Sequence, residues 1–502
     1  MQYFQPKLLI EFRLKPKKLN LEGLVAKYKP DFDFNFDFAY FFINNIIKET
    51  QFTFKDESIC WECFSTNHNV KNHFISRKSD ISQFYNSFYK KHIEFLLQNF
   101  PNDGRVLWGR RYSLGQSFGY QLSPYYFNTE LEIYKITDGR LLKKIAKREL
   151  EPKIDNTVKK KYNFFINYFD KSRLTVHNTP TAMELLFNNF LETKNLQKYI
   201  SNANQLLNVM NGKFSFDCKP RIDGRLYTAI TNFPSILRQF LRYDEKILGE
   251  VDLSSSIPFF LYYVLNSVIK GNITEVKSRI NNPNLIHYML RKNVETLDIT
   301  EVEYFGKIII QNKLYELFID DFSNIHRYGD NINPDTYLFE NFKKEFFYPL
   351  NPENPDDLKK FAKKRILSML FAKPCHYLIE QEIFKHHFPT ILLFLNKYKK
   401  TILKELKGKG QHKKISYLGF QLESDLMLNH IARSFNNHYK RKKLIMSLHD
   451  CLITTKENVP LLESFMRDKF FEQLGFAPSL KVKYWEETVM PLLPFSENKL
   501  SA

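Results

Sequence analysis

At 502 residues, with 43% hydrophobic and 16% aromatic content, the chain is too long and too apolar to be a disordered tail, and it has room for several domains around a large core. Its 74 Lys and Arg outweigh 55 Asp and Glu, leaving a formal charge of +19. That charge favours a polyanionic partner, without by itself separating nucleic acid from an anionic membrane surface. No apolar run reaches the ~20 residues of a membrane span, no leader-like segment opens the chain, and five cysteines make a disulfide scaffold a poor fit. A soluble cytoplasmic protein with no membrane partner is the expectation.

In chain order, "DFDFNFDF" (31–38) alternates acid or amide with Phe at period two and predicts a half-buried strand. "CWECFSTNHNVKNH" follows, with Cys60, Cys63, His68 and His73 in a C-x2-C-x4-H-x4-H spacing that can hold one tetrahedral zinc. Asn67 stands where a zinc knuckle usually has glycine, and Trp61 separates the two thiols. The preferred reading is two buried thiols beside exposed imidazoles. From about residue 141 to 215 the spacing turns helical and basic, which fits either a solvated helix face or one that tracks phosphates.

The C-terminal half places two acids where burial is costly. "KILGEVDLSSSIPFFLYYVL" drives a strand into Asp252 before Ser and Pro open an aromatic helix, and "LIMSLHDCLITT" sets His449 and Asp450 inside an apolar β-like run. A lone Asp in such a place is usually a cap or turn residue. Two on neighbouring strands repel, and the arrangement becomes favourable when divalent cations sit between them. A metal pair ~4 Å apart can clamp the attacking and leaving oxygens of an in-line phosphoryl displacement. "DDLKKFAKKRILSMLFAKP" puts Lys359, Lys363, Leu367 and Phe371 at steps of four on one helical stripe, basic at one end and aromatic at the other.

In this order the segments resemble the superfamily joining family A DNA polymerases with phage-type single-subunit RNA polymerases. "DLSSSIP" looks like motif A, "LHDCLIT" like the motif C hairpin with His-Asp at its tip, and "RIDGRLYTAITNFPSILRQFL" like the Gly-Arg motif upstream of motif A. The lysine stripe is similar to motif B, with Lys where these families usually have Arg, and in a register that a shift of one would move to Lys364. "LGFQLESDLMLNHIARSF" resembles the helix before motif C. The resemblance runs collinearly over about residues 205 to 490.

It implies an α+β fold, a right-hand polymerase with an antiparallel β-sheet palm, helical fingers and thumb, and a mixed N-terminal domain. The expected division is 1–140 as an accessory part without an exonuclease, 141–215 as a basic thumb-like region, and 216–502 as palm and fingers. The resemblance carries Asp252 and Asp450 over as metal ligands, with magnesium (two ions, manganese as substitute) the cofactor. Lys363 becomes a catalytic acid for the leaving pyrophosphate, and Lys359, Lys363, Phe371, Ser254 and Ile257 form the nucleotide site. Arg225, Gln421 and His449 face nucleic acid. Partners are then primer-template, nucleoside triphosphates and other replication proteins.

Motif A lacks the glutamate usual in the DNA polymerases and has Ile257 there, five places after Asp252. A bulky Ile is expected to exclude a 2′ hydroxyl, and Phe371 offers no hydroxyl to meet one, so deoxynucleotides are the expected substrate. An RNA polymerase or primase using NTPs is the alternative. A catalytically silent nucleic-acid-binding protein is the third reading.

Overall fold

The computed structural model describes residues 10–53, 89–110, 119–127, 129–148, 154–287, 297–328, 337, 351, 354–401 and 410–487. Cys60, Cys63, His68 and His73, and with them the zinc question, lie outside the described residues.

The architecture is mixed α+β with antiparallel pairing throughout the described sheets. Near the start, β1 (Glu11–Pro16) pairs with β4 (Leu131–Ile136), and β2 (Leu107–Arg110) with β3 (Gly119–Leu122). Around them lie α1 (Leu21–Tyr28), α2 (Phe36–Thr53) and α3 (Tyr89–Leu97). The expected strand over 31–38 is not formed, because α2 begins at Phe36. The alternating rings instead gather on one imidazole: Phe32, Phe34 and Phe38 centre 4.8, 5.0 and 4.8 Å from His92 of α3. Asp37, in the first turn of α2, is held by Tyr134 Oη and Thr137 N, each donating at 2.6 Å. Aromatic clustering and a carboxylate at a helix N-terminus override the period-two pattern.

Helices α4 (Gly139–Arg148), α5 (Asn156–Ile166), α6 (Thr179–Thr193) and α7 (Leu196–Met210) fill the basic region, as the helical spacing predicts. They do not stand apart from their neighbours. α7 packs on α2 and β1, with Asn211 at its end accepting from Phe12 N at 2.8 Å and donating to Phe12 O at 3.0 Å. Between α5 and α6, β5 (Leu174–Val176) joins the large C-terminal sheet.

That sheet runs β10-β11-β9-β8-β5, with β12 also on β9. Its strands are β8 (Leu241–Tyr243), β9 (Lys246–Leu253), β10 (Met446–Leu448), β11 (Cys451–Thr455) and β12 (Leu480–Tyr484), while β6 (Phe216–Cys218) and β7 (Leu226–Thr228) form a separate pair. β9 is buried along residues 248–251, and the charge this encloses, Glu250, accepts from Trp485 Nε1 at 3.0 Å. Gly249 is where this crowding peaks: a Cβ there would lie 2.7 Å from Val459 Cγ2 of α14 (Val459–Leu474).

The helix after β9, α8 (Ser256–Ile269), is apolar nearly all round and correspondingly buried. It packs against α9 (Ile299–Ile310) and α13 (Lys414–Ser424). Beyond α9, α10 (Pro355–Phe371), α11 (Leu378–His387) and α12 (Pro389–Lys400) close over a core of Phe305, Phe318, Phe361, Phe384 and Phe388. Asp298 caps α9 by accepting from Glu301 N at 2.9 Å, and Asn354 caps α10 from Asp356 N at 3.0 Å. α13 continues into a π-helical stretch, Asp425–Ala432.

Candidate active site

Local sequence places the two acids. β9 ends at Leu253, so Asp252 sits one residue from the strand end. β10 and β11 are joined by a two-residue turn, His449–Asp450, in which His449 takes φ 56°, the left-handed geometry tight hairpins require. The register sets Cys451 opposite Asp252, and Leu253 N donates to Asp450 O at 3.2 Å. One carboxylate oxygen from each Asp and the Cys451 Sγ therefore lie within 4.8 Å of one another.

Neither carboxylate is ion-paired with a Lys or Arg among the described residues. Burial, and then the Asp450 charge, push the Asp252 carboxyl above its usual range, opposed by a thiol hydrogen bond from Cys451 (Sγ to Oδ1, 2.9 Å) and by the charge of Lys363. Burial, reinforced by both aspartates, pushes the Cys451 thiol up, so it stays protonated and donates. Two close, uncompensated carboxylates are a donor set that suits a hard divalent cation such as magnesium.

Arg225 follows the tight turn at Gly224 (φ 68°) and reaches inward. Its Nε and Nη2 lie 2.8 and 2.6 Å from Glu423 Oε1, and its guanidinium stacks 3.8 Å from the Phe420 ring centre. Ser256 Oγ, in the first turn of α8, donates to the other Glu423 oxygen at 2.5 Å. Burial pushes the Glu423 carboxyl up to about 7 against the pull of Arg225. No local signal in "QLESD" marks Glu423 as the partner of a residue so far upstream.

His449 presents its ring edge-on to Tyr227 at 5.5 Å, and Tyr227 Oη donates to Asp223 at 2.8 Å. Burial, then Arg225, hold the imidazole below its usual pKa, and its Nδ1 is buried without a hydrogen-bond partner among the described residues.

Gln421 corrects an expectation. It is fully buried, accepting from Asn281 N and Asn282 N at 3.0 and 3.1 Å and donating to the Arg221 and Ile222 carbonyls at 3.1 Å. With its amide committed to backbone, it ties the turn before β7 to α13 and presents nothing to nucleic acid. Ile257 corrects another. At 8% exposure it sits in the seam between α8 and α13, its Cδ1 2.9 Å from where a Cβ on Gly419 would be, so it is packing rather than an open wall.

On α10, Lys359 pairs with Glu316 at 2.6 Å, whereas Lys363 is exposed and its charge reaches Asp252. Phe371 is half-buried, 6.3 Å from Phe420, and so backs the ring beneath Arg225. Ser254 is half-buried, and its N donates to Ser479 O at 3.0 Å. A second group with ligand-type atoms, Asp321, His386 and His387, lies among the helices around α11; there the Asp321 carboxylate accepts from Tyr328 and lies 2.7 Å from His387 Nε2. No helix among the described residues is long and apolar enough to cross a membrane.

No family model matches the chain, and no curated protein matches it. Among solved structures, the chain is similar to the POL domain of Pol1 from M. smegmatis, in complex with DNA primer-template and dNTP, at 10% identity and a TM-score of 0.32. The alignment covers 60% of this chain and 55% of that one, little more than half its length. At that similarity the neighbour fixes neither family nor activity for this protein.

Proposed function

We propose that the chain is a template-directed nucleotidyltransferase that extends a primer 3′ end, as a DNA polymerase using dNTPs and lacking proofreading. The observation that carries this reading is the meeting of Asp252 and Asp450 at a strand end and a hairpin tip, two carboxylates with no Lys or Arg ion pair among the described residues. In this reading the large sheet is the palm, the α9–α12 helices are fingers, and the basic helices upstream serve as thumb.

Asp252 and Asp450 would hold two magnesium ions, with manganese as substitute, which supply charge neutralisation at the triphosphate and acidify the primer hydroxyl. Lys363, exposed on α10 and with its charge felt at Asp252, would meet the triphosphate and give a proton to the departing pyrophosphate. Lys359 joins it only on leaving Glu316. Glu423 holds Arg225 beside the hairpin, and His449 stays neutral next to Asp450. The net charge of +19 over the whole chain favours a polyanion such as primer-template.

An RNA polymerase or primase is the second reading, favoured by one observation: Ile257, the expected barrier to a ribose hydroxyl, is buried in a helix seam. Primer extension with dNTPs and NTPs in parallel, on DNA and RNA templates with magnesium or manganese, separates the readings. Extension by dNTPs supports the proposal and extension by NTPs alone promotes the second reading. Binding without incorporation under every condition leaves a silent nucleic-acid-binding protein.

A further inference from the structure

A cleft of about 920 Å³ opens in the N-terminal part of the chain, between the β1–α1 connection, α1, the segment before β2 and the short helix Pro124–Phe127. Two large aromatic rings stand at its surface: Trp108 is 43% exposed and Tyr125 63% exposed. Trp108 follows the fully buried Leu107 on β2, so strand alternation turns one ring outward while its neighbour enters the core.

The charge in the cleft is unbalanced. Asp103 is already committed, accepting from Lys27 Nζ at 2.6 Å and Tyr28 Oη at 2.7 Å. Lys18 and Arg105 have no carboxylate partner among the described residues, and Lys18 Nζ sits 5.1 Å from the Tyr125 ring centre. Exposed rings beside cations that have no carboxylate partner among the described residues suit a ligand that carries flat bases and phosphates together.

We propose that this cleft binds single-stranded nucleic acid, with Trp108 and Tyr125 stacking unpaired bases and Lys18 and Arg105 meeting phosphates. Paired bases inside a duplex hide their faces, so the cleft selects single strands, with little sequence preference because every base has a π-face. The site draws on none of the carboxylate, arginine or lysine residues assigned to nucleotidyl transfer and stands or falls separately from that reading.

The test uses the full chain and a fluorescein-labelled oligothymidylate of about 12 nucleotides, within the site sizes such folds occupy, read by anisotropy. Trp108→Ala combined with Tyr125→Ala is expected to weaken binding about tenfold or more, and Lys18→Glu with Arg105→Glu to weaken it and flatten its salt dependence. Photocrosslinking with a 5-iodouracil oligonucleotide should mark Trp108 or Tyr125 in the wild-type chain, a readout that does not depend on how the variants fold. Unchanged affinity in both double variants, or crosslinks confined to the β9–β11 end, would overturn the proposal. So would displacement by polyglutamate as effective as by oligothymidylate, since it would make the ligand an acidic peptide.

Discussion

Arg225 and Glu423 form a buried ion pair, 2.6 Å from Nη2 to Oε1, between residues 198 apart in the sequence. The same carboxylate holds Ser256 in the first turn of α8, four residues beyond Asp252. One buried acid thus connects the Gly-Arg turn, the start of the helix after Asp252, and α13.

Because the Glu423 carboxyl is raised to about 7 in the fold, the folded protein binds a proton there over a pH range in which the unfolded chain has lost it. Its contribution to stability is fully present below the ordinary glutamate range and is lost as pH rises towards and through about 7. Glu423→Gln removes that slope. Denaturant titrations at pH 5 and pH 8 should show a smaller difference for the variant than for wild type, and equal differences would contradict the assignment.

Gln421→Leu tests whether the buried amide is structural. The substitution leaves the Arg221 and Ile222 carbonyls of the turn before β7 and the Asn281 and Asn282 N–H groups without their Gln421 partner, at an expected cost of about 2 to 4 kcal/mol. Denaturant unfolding measures it. A change below about 0.5 kcal/mol, the scale of an ordinary surface substitution, would show that the amide is not bound as described.

Gly249→Ala tests the packing behind Asp252. The added methyl would meet Val459 Cγ2 at 2.7 Å with β12 close on the other side, so overpacking is expected to destabilise by about 1 to 3 kcal/mol. A thermal melt equal to wild type would contradict so tight a contact.

The elements that carry the acids were legible because their signals are local. A β-rich run stopped by Ser and Pro gave the end of β9 and the start of α8, "LIMSLHDCLITT" read as β, and its resemblance to motif C implied a hairpin with His449–Asp450 at the tip. Gly475, at φ 80°, ends α14 before β12, a stop that a glycine marks locally. What could not be read depends on distant partners. Gln421 and Arg225 look like surface contacts until the turn at 221–225 folds against α13, and Ile257 looks like a barrier to ribose until α13 covers it. "DFDFNFDF" carries a strand's period, yet His92, far along the chain, gathers its rings. β5 joins the large sheet from within the region expected to be thumb-like, which no local pattern announces.

The pairing of Asp252 with Asp450 is tested most directly by single-turnover primer extension with Asp252→Asn and Asp450→Asn, measured beside primer-template affinity for the same variants. Each substitution removes one carboxylate from the pair and little packing, so incorporation should vanish while affinity stays within about threefold of wild type. Wild-type incorporation rates in either variant would contradict a catalytic role for the pair.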